Sequence, residues 1–165
     1  MSKSLQKITP CLWFDHQAEE AARFYTSLFK NSRIDAVTRY GEAGPGPKGG
    51  VMTVAFELDG QKFMALNGGP LFKFTEAVSF VVNCENQQEV DEMWDKLSSG
   101  GEEQCGWVKD KYGLSWQIVP TVLLEMMQDE DAGRKERVMR AMLQMKKLDV
   151  AGLEAAYRQP SPIAY

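Results

Sequence analysis

The sequence predicts an α+β fold, and three observations carry that prediction. A strand, a helix and further strands follow one another twice along the chain. The apolar stripes of the two helices superpose at one constant offset of 69 residues. From Thr121 onward the pattern turns helical.

The first strand is read at 8–14, ITPCLWF, and the first helix at 16–29. Asp15 stands where a carboxylate would cap that helix, with Glu19 and Glu20 near its positive end. Ala21, Phe24, Tyr25, Leu28 and Phe29 recur at helical spacing and form its buried stripe. Strands are expected at 33–40, 51–58 and 61–66, the last two joined by the hairpin dipeptide Asp59-Gly60. Between them lies GEAGPGPKGG, 41–50, the one long irregular loop. It lacks the phosphate-loop pattern and opens no helix, which leaves two readings: a mobile loop at the rim of a pocket, or a plain surface connection.

The second half begins with a strand at 77–84, AVSFVVNC. Asn86 then opens a helix, with Glu89 three residues on as a capping box. Val90, Met93, Trp94 and Leu97 face inward, and Gly100-Gly101 ends the helix. Ala21, Phe24, Tyr25 and Leu28 fall on these four positions at the offset of 69. QCGWVKD and LSWQIV follow as strands around a turn at Lys111-Tyr112-Gly113. The tail reads as helix broken near Gln128-Asp129 and at Asp149, with an apolar face of Val138, Met139, Met142, Leu143 and Met145.

Composition bounds the function. Of 165 residues, 44% are hydrophobic and 25% charged, enough to bury a core. The net charge of −4 and a single basic cluster, Arg134-Lys135-Glu136-Arg137, argue against a nucleic-acid partner. The first seven residues hold no apolar leader core, and the apolar runs fall short of the roughly 20 residues that span a bilayer. Cys11, Cys84 and Cys105 form no CxxC pair or metal-ligand spacing. A cytoplasmic protein with reduced cysteines and no membrane partner is expected.

Three stretches carry a resemblance: ITPCLWFDHQAEEAARFYTSLF, RYGEAGPGPKGGVMTVAFELDGQKFMALNGGP and CGWVKDKYGLSWQIVP. Together with MLQMKKLDVAGLEAAY in the tail, they resemble the PhnB-like branch of the vicinal-oxygen-chelate superfamily. Glyoxalases, extradiol dioxygenases and bleomycin-resistance proteins belong to it, and this branch often carries the label 3-demethylubiquinone 3-methyltransferase. The resemblance implies paired βαβββ modules forming a curled mixed sheet around a cavity, usually in a homodimer. One structural domain is then expected. It comprises a first module at 1–70, a second, shortened module at 71–120 and a helical extension at 121–165.

Catalytic members of that superfamily hold a divalent metal with four His, Gln or Glu side chains. Placed by motif, those positions here are Thr9, Asn67, Val78 or Ser79, and Gln117. They include no carboxylate or imidazole, so no charge offsets a divalent ion, and no bound metal is predicted. The lone histidine, His16, reads as a solvated turn residue. Strand alternation puts Thr9, Cys11 and Trp13 on one face. They are expected to line the cavity with Phe63, Ala65, Asn67, Ser115, Gln117 and Val119, giving apolar walls with neutral hydrogen-bonding groups. The competing reading has Gln117 and Asn67 merely satisfying each other or a buried water. Cys11, lacking a base nearby, reads as a buried inert thiol.

The leading expectation is a small-molecule binding or resistance-type protein without bound metal or cofactor, its ligand-binding residues being Thr9, Cys11, Trp13, Phe63, Asn67, Ser79 and Gln117. An alternative is a metal-dependent lyase, isomerase or dioxygenase using acids such as Glu57 or Glu76. The family's methyltransferase label is a further alternative that no cofactor motif supports, because the first strand–helix turn, FDHQAEEA, holds no glycine for a cofactor to approach.

Overall fold

A computed structural model describes residues 6–160. Residues 1–5, part of the segment read above for an apolar leader, lie outside the described residues. The chain forms two compact units, Met1–Phe74 and Thr75–Tyr165. Each holds a four-stranded mixed sheet, and the α+β class follows.

In the first unit, β1 (Cys11–Phe14) leads into α1 (Ala18–Leu28), and β2 (Arg33–Arg39), β3 (Val51–Leu58) and β4 (Gln61–Asn67) follow. The strand order is β1-β4-β3-β2, with β1 parallel to β4 and the other pairs antiparallel. Asp59 and Gly60 both take positive φ, as a tight hairpin turn between β3 and β4 requires. Helix α1 packs on this sheet through Ala18, Ala21, Ala22 and Tyr25, all buried. Tyr25, Phe56 and Phe63 stack in sequence beneath it.

The second unit repeats the module. Its elements are β5 (Ser79–Cys84), α2 (Gln87–Leu97), β6 (Gly101–Glu102), β7 (Trp107–Lys109) and β8 (Ser115–Pro120). The order β5-β8-β7-β6 matches the first sheet, and β5 runs parallel to β8 as β1 does to β4. The two-residue β6 escapes the sequence reading because it is too short to show a period. Helices α1 and α2 keep the offset of 69 at both ends, since 18 + 69 = 87 and 28 + 69 = 97. The strands do not. Buried Leu12 and Phe14 correspond to buried Val82 and Cys84, an offset of 70. Three residues join β1 to α1 and two join β5 to α2, which accounts for the difference.

Helical caps correct one expectation. Asp15 does not cap α1: the N-cap is Gln17, whose side chain makes no capping bond. Asn67, at the end of β4, supplies the acceptor instead, its Oδ1 lying 2.8 Å from the Ala18 amide. In α2 the capping box forms: Asn86 Oδ1 accepts from the Glu89 amide at 3.0 Å. The Glu89 carboxylate reaches back to the Glu85 amide, one residue earlier than the usual donor.

The tail comprises α3 (Thr121–Met127), α4 (Ala132–Met142) and α5 (Val150–Arg158), within the second unit. Asp131 and Asp149 cap the last two. These helices pack on their own chain around Val119, Leu123, Met126, Val138, Leu148 and Leu153. The link between α4 and α5 is tied to the sheet by Cys105 and Gly106, whose amides donate to the Met145 and Lys146 carbonyls. Gln87 of α2 grips the same link, donating to the Leu148 carbonyl and accepting from the Val150 amide. The expected Met-rich face is narrower than read: Met142 and Met145 pack inward, while Met139 and Leu143 are exposed.

Candidate functional site

The register of the first sheet divides the expected site residues. Cys11 pairs with Met64, Leu12 with Ala65, Trp13 with Leu66 and Phe14 with Asn67. Paired residues present their side chains on the same face, so Cys11 and Trp13 look away from α1 while Phe63, Ala65 and Asn67 look toward it. The alternation within β1 is as read, but its phase against β4 differs by one residue. Phe63 belongs to the aromatic stack under α1. Asn67 is occupied at both ends: Oδ1 caps α1, and Nδ2 donates to the Val51 carbonyl at 3.1 Å. Thr9 is exposed, two residues ahead of β1.

Trp13 is fixed by its neighbours. Its Nε1 donates to the Gly69 carbonyl at 2.8 Å, and Phe72 meets its ring edge-on at 4.9 Å. Gly68 lies so close that a Cβ there would stand 2.3 Å from the indole. Cys11 is exposed rather than buried, which corrects the expectation. Desolvation raises its thiol above the usual range, and with no cation set against it the thiolate is scarce at neutral pH.

The loop at 41–50 is pinned. The Tyr40 amide donates to the Gly50 carbonyl, Gly49 donates to the Tyr40 carbonyl, and the Tyr40 hydroxyl donates to the Asn67 carbonyl. Gly44 and Gly46 press against opposite edges of the Tyr40 ring, closer than any side chain would allow. The loop borders a cleft of about 430 Å³ at the start of α1, where His16, Glu19, Asn67 and Gly68 also contribute. His16 is exposed and faces Asp15 at 3.4 Å.

The second sheet gathers what remains. Cross-strand pairing sets Lys109, Ser115 and Ser79 in one row and Trp107, Gln117 and Val81 in the next. All six turn away from α2, because the alternating residues Val82, Val108, Trp116 and Ile118 are buried on the face that packs against that helix. Gln117 Nε2 donates to Ser79 Oγ at 2.9 Å. Gln117 and Asn67 each have partners within their own unit. Ser115 is 1% exposed and its hydroxyl has no partner, a state that costs about 1–3 kcal/mol. Beneath, the buried Asp110 carboxylate accepts from the Trp116 indole at 2.9 Å and from the amides of Tyr112 and Leu114, fixing the turn into β8.

The residues do not fit a divalent metal. Among the described residues no three His, Cys, Asp or Glu side chains come together to hold one. Glu57 pairs with Arg33 at 2.7 Å and Glu76 with Lys109, so both acids already have cations. Nor does the start of α1 fit a methyl-donor nucleotide: the Ala18 amide, which would face such a group, is taken by Asn67.

Comparison with known proteins now places the chain. The sequence profile of the 3-demethylubiquinone-9 3-methyltransferase family matches residues 6–119. The chain belongs to that PhnB-like family. It is similar to a PhnB protein of Bacillus cereus whose structure carries the same methyltransferase name. That similarity is 42% identity over 70% of this chain and 99% of the other, with a TM-score of 0.64. A protein of Pseudomonas aeruginosa shares 22% identity over 71% and 98% of the two chains, with a TM-score of 0.57. A glyoxylase/bleomycin resistance protein/dioxygenase domain from Frankia shares 12% over 71% and 93%, at 0.45. Comparison with curated proteins gives no match.

Proposed function

We propose that the chain is a small-molecule binding protein of the glyoxalase/bleomycin-resistance type that works without a bound metal. One observation carries the reading: where metal-binding relatives are expected to place an acid, Gln117 stands in hydrogen bond with Ser79 on the sheet face turned away from α2. A neutral amide and hydroxyl orient a ligand by directional bonds and supply no charge to offset a divalent ion. Val81, 49% exposed, and Trp107 add apolar surface on the same face. In the first module, taken by itself, Thr9, Cys11 and Trp13 are the proposed binding residues, and Phe63 and Asn67 lie on the other face of that module's own sheet.

The modular division at 1–70, 71–120 and 121–165 belongs to the same proposal, as do a homodimer and a cytoplasmic location. The free cysteines favour that location, and the exposed apolar residues Met64, Leu71 and Phe72 favour association with a second copy. No helix among the described residues is long and apolar enough to cross a membrane.

A thermal-shift screen of small aromatic and polar molecules on chelator-treated protein tests the binding reading. The expected outcome is a set of stabilising compounds whose effect survives chelation and is lost in Gln117→Leu. Stabilisation that appears only after a divalent metal is restored would contradict it.

A further inference from the structure

The basic cluster of the tail folds into α4, where Arg134 and Arg137 lie one turn apart on the same side of the helix. With Arg158, the last residue of α5, they line a cleft of about 320 Å³ where the start of α4 meets the end of α5. Among its described lining residues Asp131 is the one acid, so three positive charges face the cleft against one negative charge. That excess stands in a chain of net charge −4.

Docking the two helices uses only part of this charge. Arg137, half-buried, donates to the Ala156 carbonyl at 3.2 Å and to the Tyr157 carbonyl at 3.5 Å, closing the negative end of α5. Arg134 is held in place without a short ionic bond. Its guanidinium lies over the Tyr157 ring at 5.2 Å, and its contacts with the Asp129 and Asp131 carboxylates are 3.4 and 3.6 Å long. Charge-assisted bonds close to about 2.7–2.9 Å. Both acids are engaged elsewhere: Asp129 accepts from the Tyr157 hydroxyl and the Asp131 amide, and Asp131 from the Gly133 and Arg134 amides. Arg158 gives one nitrogen, Nη2, to Glu154 at 2.9 Å, and its side chain is 74% exposed. A surface pair of that kind is weak and readily exchanged. Arg134 and Arg158 thus bring unspent donors to a cleft that Arg137 backs.

We propose that this cleft binds a phosphoryl dianion, as free phosphate or as the phosphate of a small ester. Its excess of two positive charges matches two negative ones, and planar guanidiniums meet phosphoryl oxygens with paired bonds. A carboxylate would leave one of those charges unmatched. The Arg134 guanidinium, already set on the Tyr157 ring, loses little freedom on binding, and Arg158 closes over the anion from the end of α5. The body of an ester lies toward Gln159 and Pro160. The cleft belongs to the tail helices, so this inference stands apart from the reading of the sheet face.

Calorimetric titration of the full chain with inorganic phosphate, phenyl phosphate and benzoate tests it. Both phosphates are expected to bind one to one, at least about tenfold tighter than benzoate. Phenyl phosphate well ahead of inorganic phosphate would assign the ester, and equal affinity would assign the phosphoryl group alone; either supports the site. Arg134→Gln and Arg158→Gln should each weaken phenyl phosphate about tenfold. Arg140→Gln removes the same charge from α4 at a residue that faces Glu136 and does not line the cleft, and it should change the affinity less than twofold. Arg134→Gln also loses the contact with Tyr157, but Arg158→Gln alters an exposed side chain and should melt with the parent. Absence of saturable phosphate binding would overturn the proposal. So would affinity indifferent to Arg158→Gln, affinity that falls equally in Arg140→Gln, or benzoate binding as tightly as phenyl phosphate. None of these outcomes bears on the thermal-shift screen of the sheet face.

Discussion

At the scale of single residues, the amides in this chain have separate occupations. Asn67 joins three elements, holding the first amide of α1 with its oxygen and the start of β3 with its nitrogen. Asn67→Ala should therefore cost about 1–2 kcal/mol in urea unfolding, the usual worth of a helix cap. Asn67→Asp, which keeps the acceptor, should cost less. If Asn67→Ala were as stable as the parent, the cap would not be operating. Cys11 is exposed, yet its thiol is held above the ordinary range by desolvation. Its alkylation by iodoacetamide at pH 7 should be slower than that of free cysteine and should climb about tenfold per pH unit. Alkylation faster than free cysteine would reveal an activating base that the geometry does not show.

Among the elements, the tail helices are bound to one another by polar contacts as well as by packing. The Tyr157 hydroxyl donates to Asp129, which also faces Arg134 at 3.4 Å, and the Arg134 guanidinium lies over the Tyr157 ring at 5.2 Å. The Tyr157 bond, then the Asp131 amide, and then Arg134 hold the Asp129 carboxyl below its usual range. A depressed carboxyl adds stability above its unfolded value, and that contribution is lost as pH falls through the folded value. Tyr157→Phe should therefore lower stability at pH 7 and flatten the decline below about pH 4. Urea unfolding of both proteins at pH 7 and pH 3 checks this; equal differences at the two pH values would contradict it. The docking of the α4–α5 link requires Gly106, whose φ is +84° and whose absent Cβ would meet the Ile118 carbonyl at 2.7 Å.

Across the whole molecule, what was legible in the sequence follows from periodicity. A helix of 3.6 residues per turn writes its buried stripe into a local window, so α1, α2 and their offset of 69 could be read directly. The Asp59-Gly60 turn and the tail breaks were legible for the same local reason. Which face of β4 accompanies which face of β1 depends on a parallel pairing between distant segments, and nothing local encodes that phase. Strand alternation alone therefore puts Phe63 and Asn67 on the opposite side of the sheet from where the pairing sets them, and the local pattern offers Asp15 for the cap on α1 that Asn67 supplies from across the sheet. In the second sheet, the Gly113 turn brings β7 against β8, so Ser79, Ser115 and Gln117 do share a face. The unpartnered Ser115 hydroxyl and its neighbour Lys109 had no signal in the sequence, because a missing hydrogen bond appears only in three dimensions.

The central claim is that Gln117 and Ser79 make this face a neutral hydrogen-bonding surface and not a metal centre. Calorimetric titration of Mn²⁺, Ni²⁺ and Zn²⁺ into chelator-treated protein tests it most directly. The account predicts no saturable, stoichiometric uptake in the parent and no difference in Gln117→Leu. Tight one-to-one binding that Gln117→Leu abolishes would contradict it.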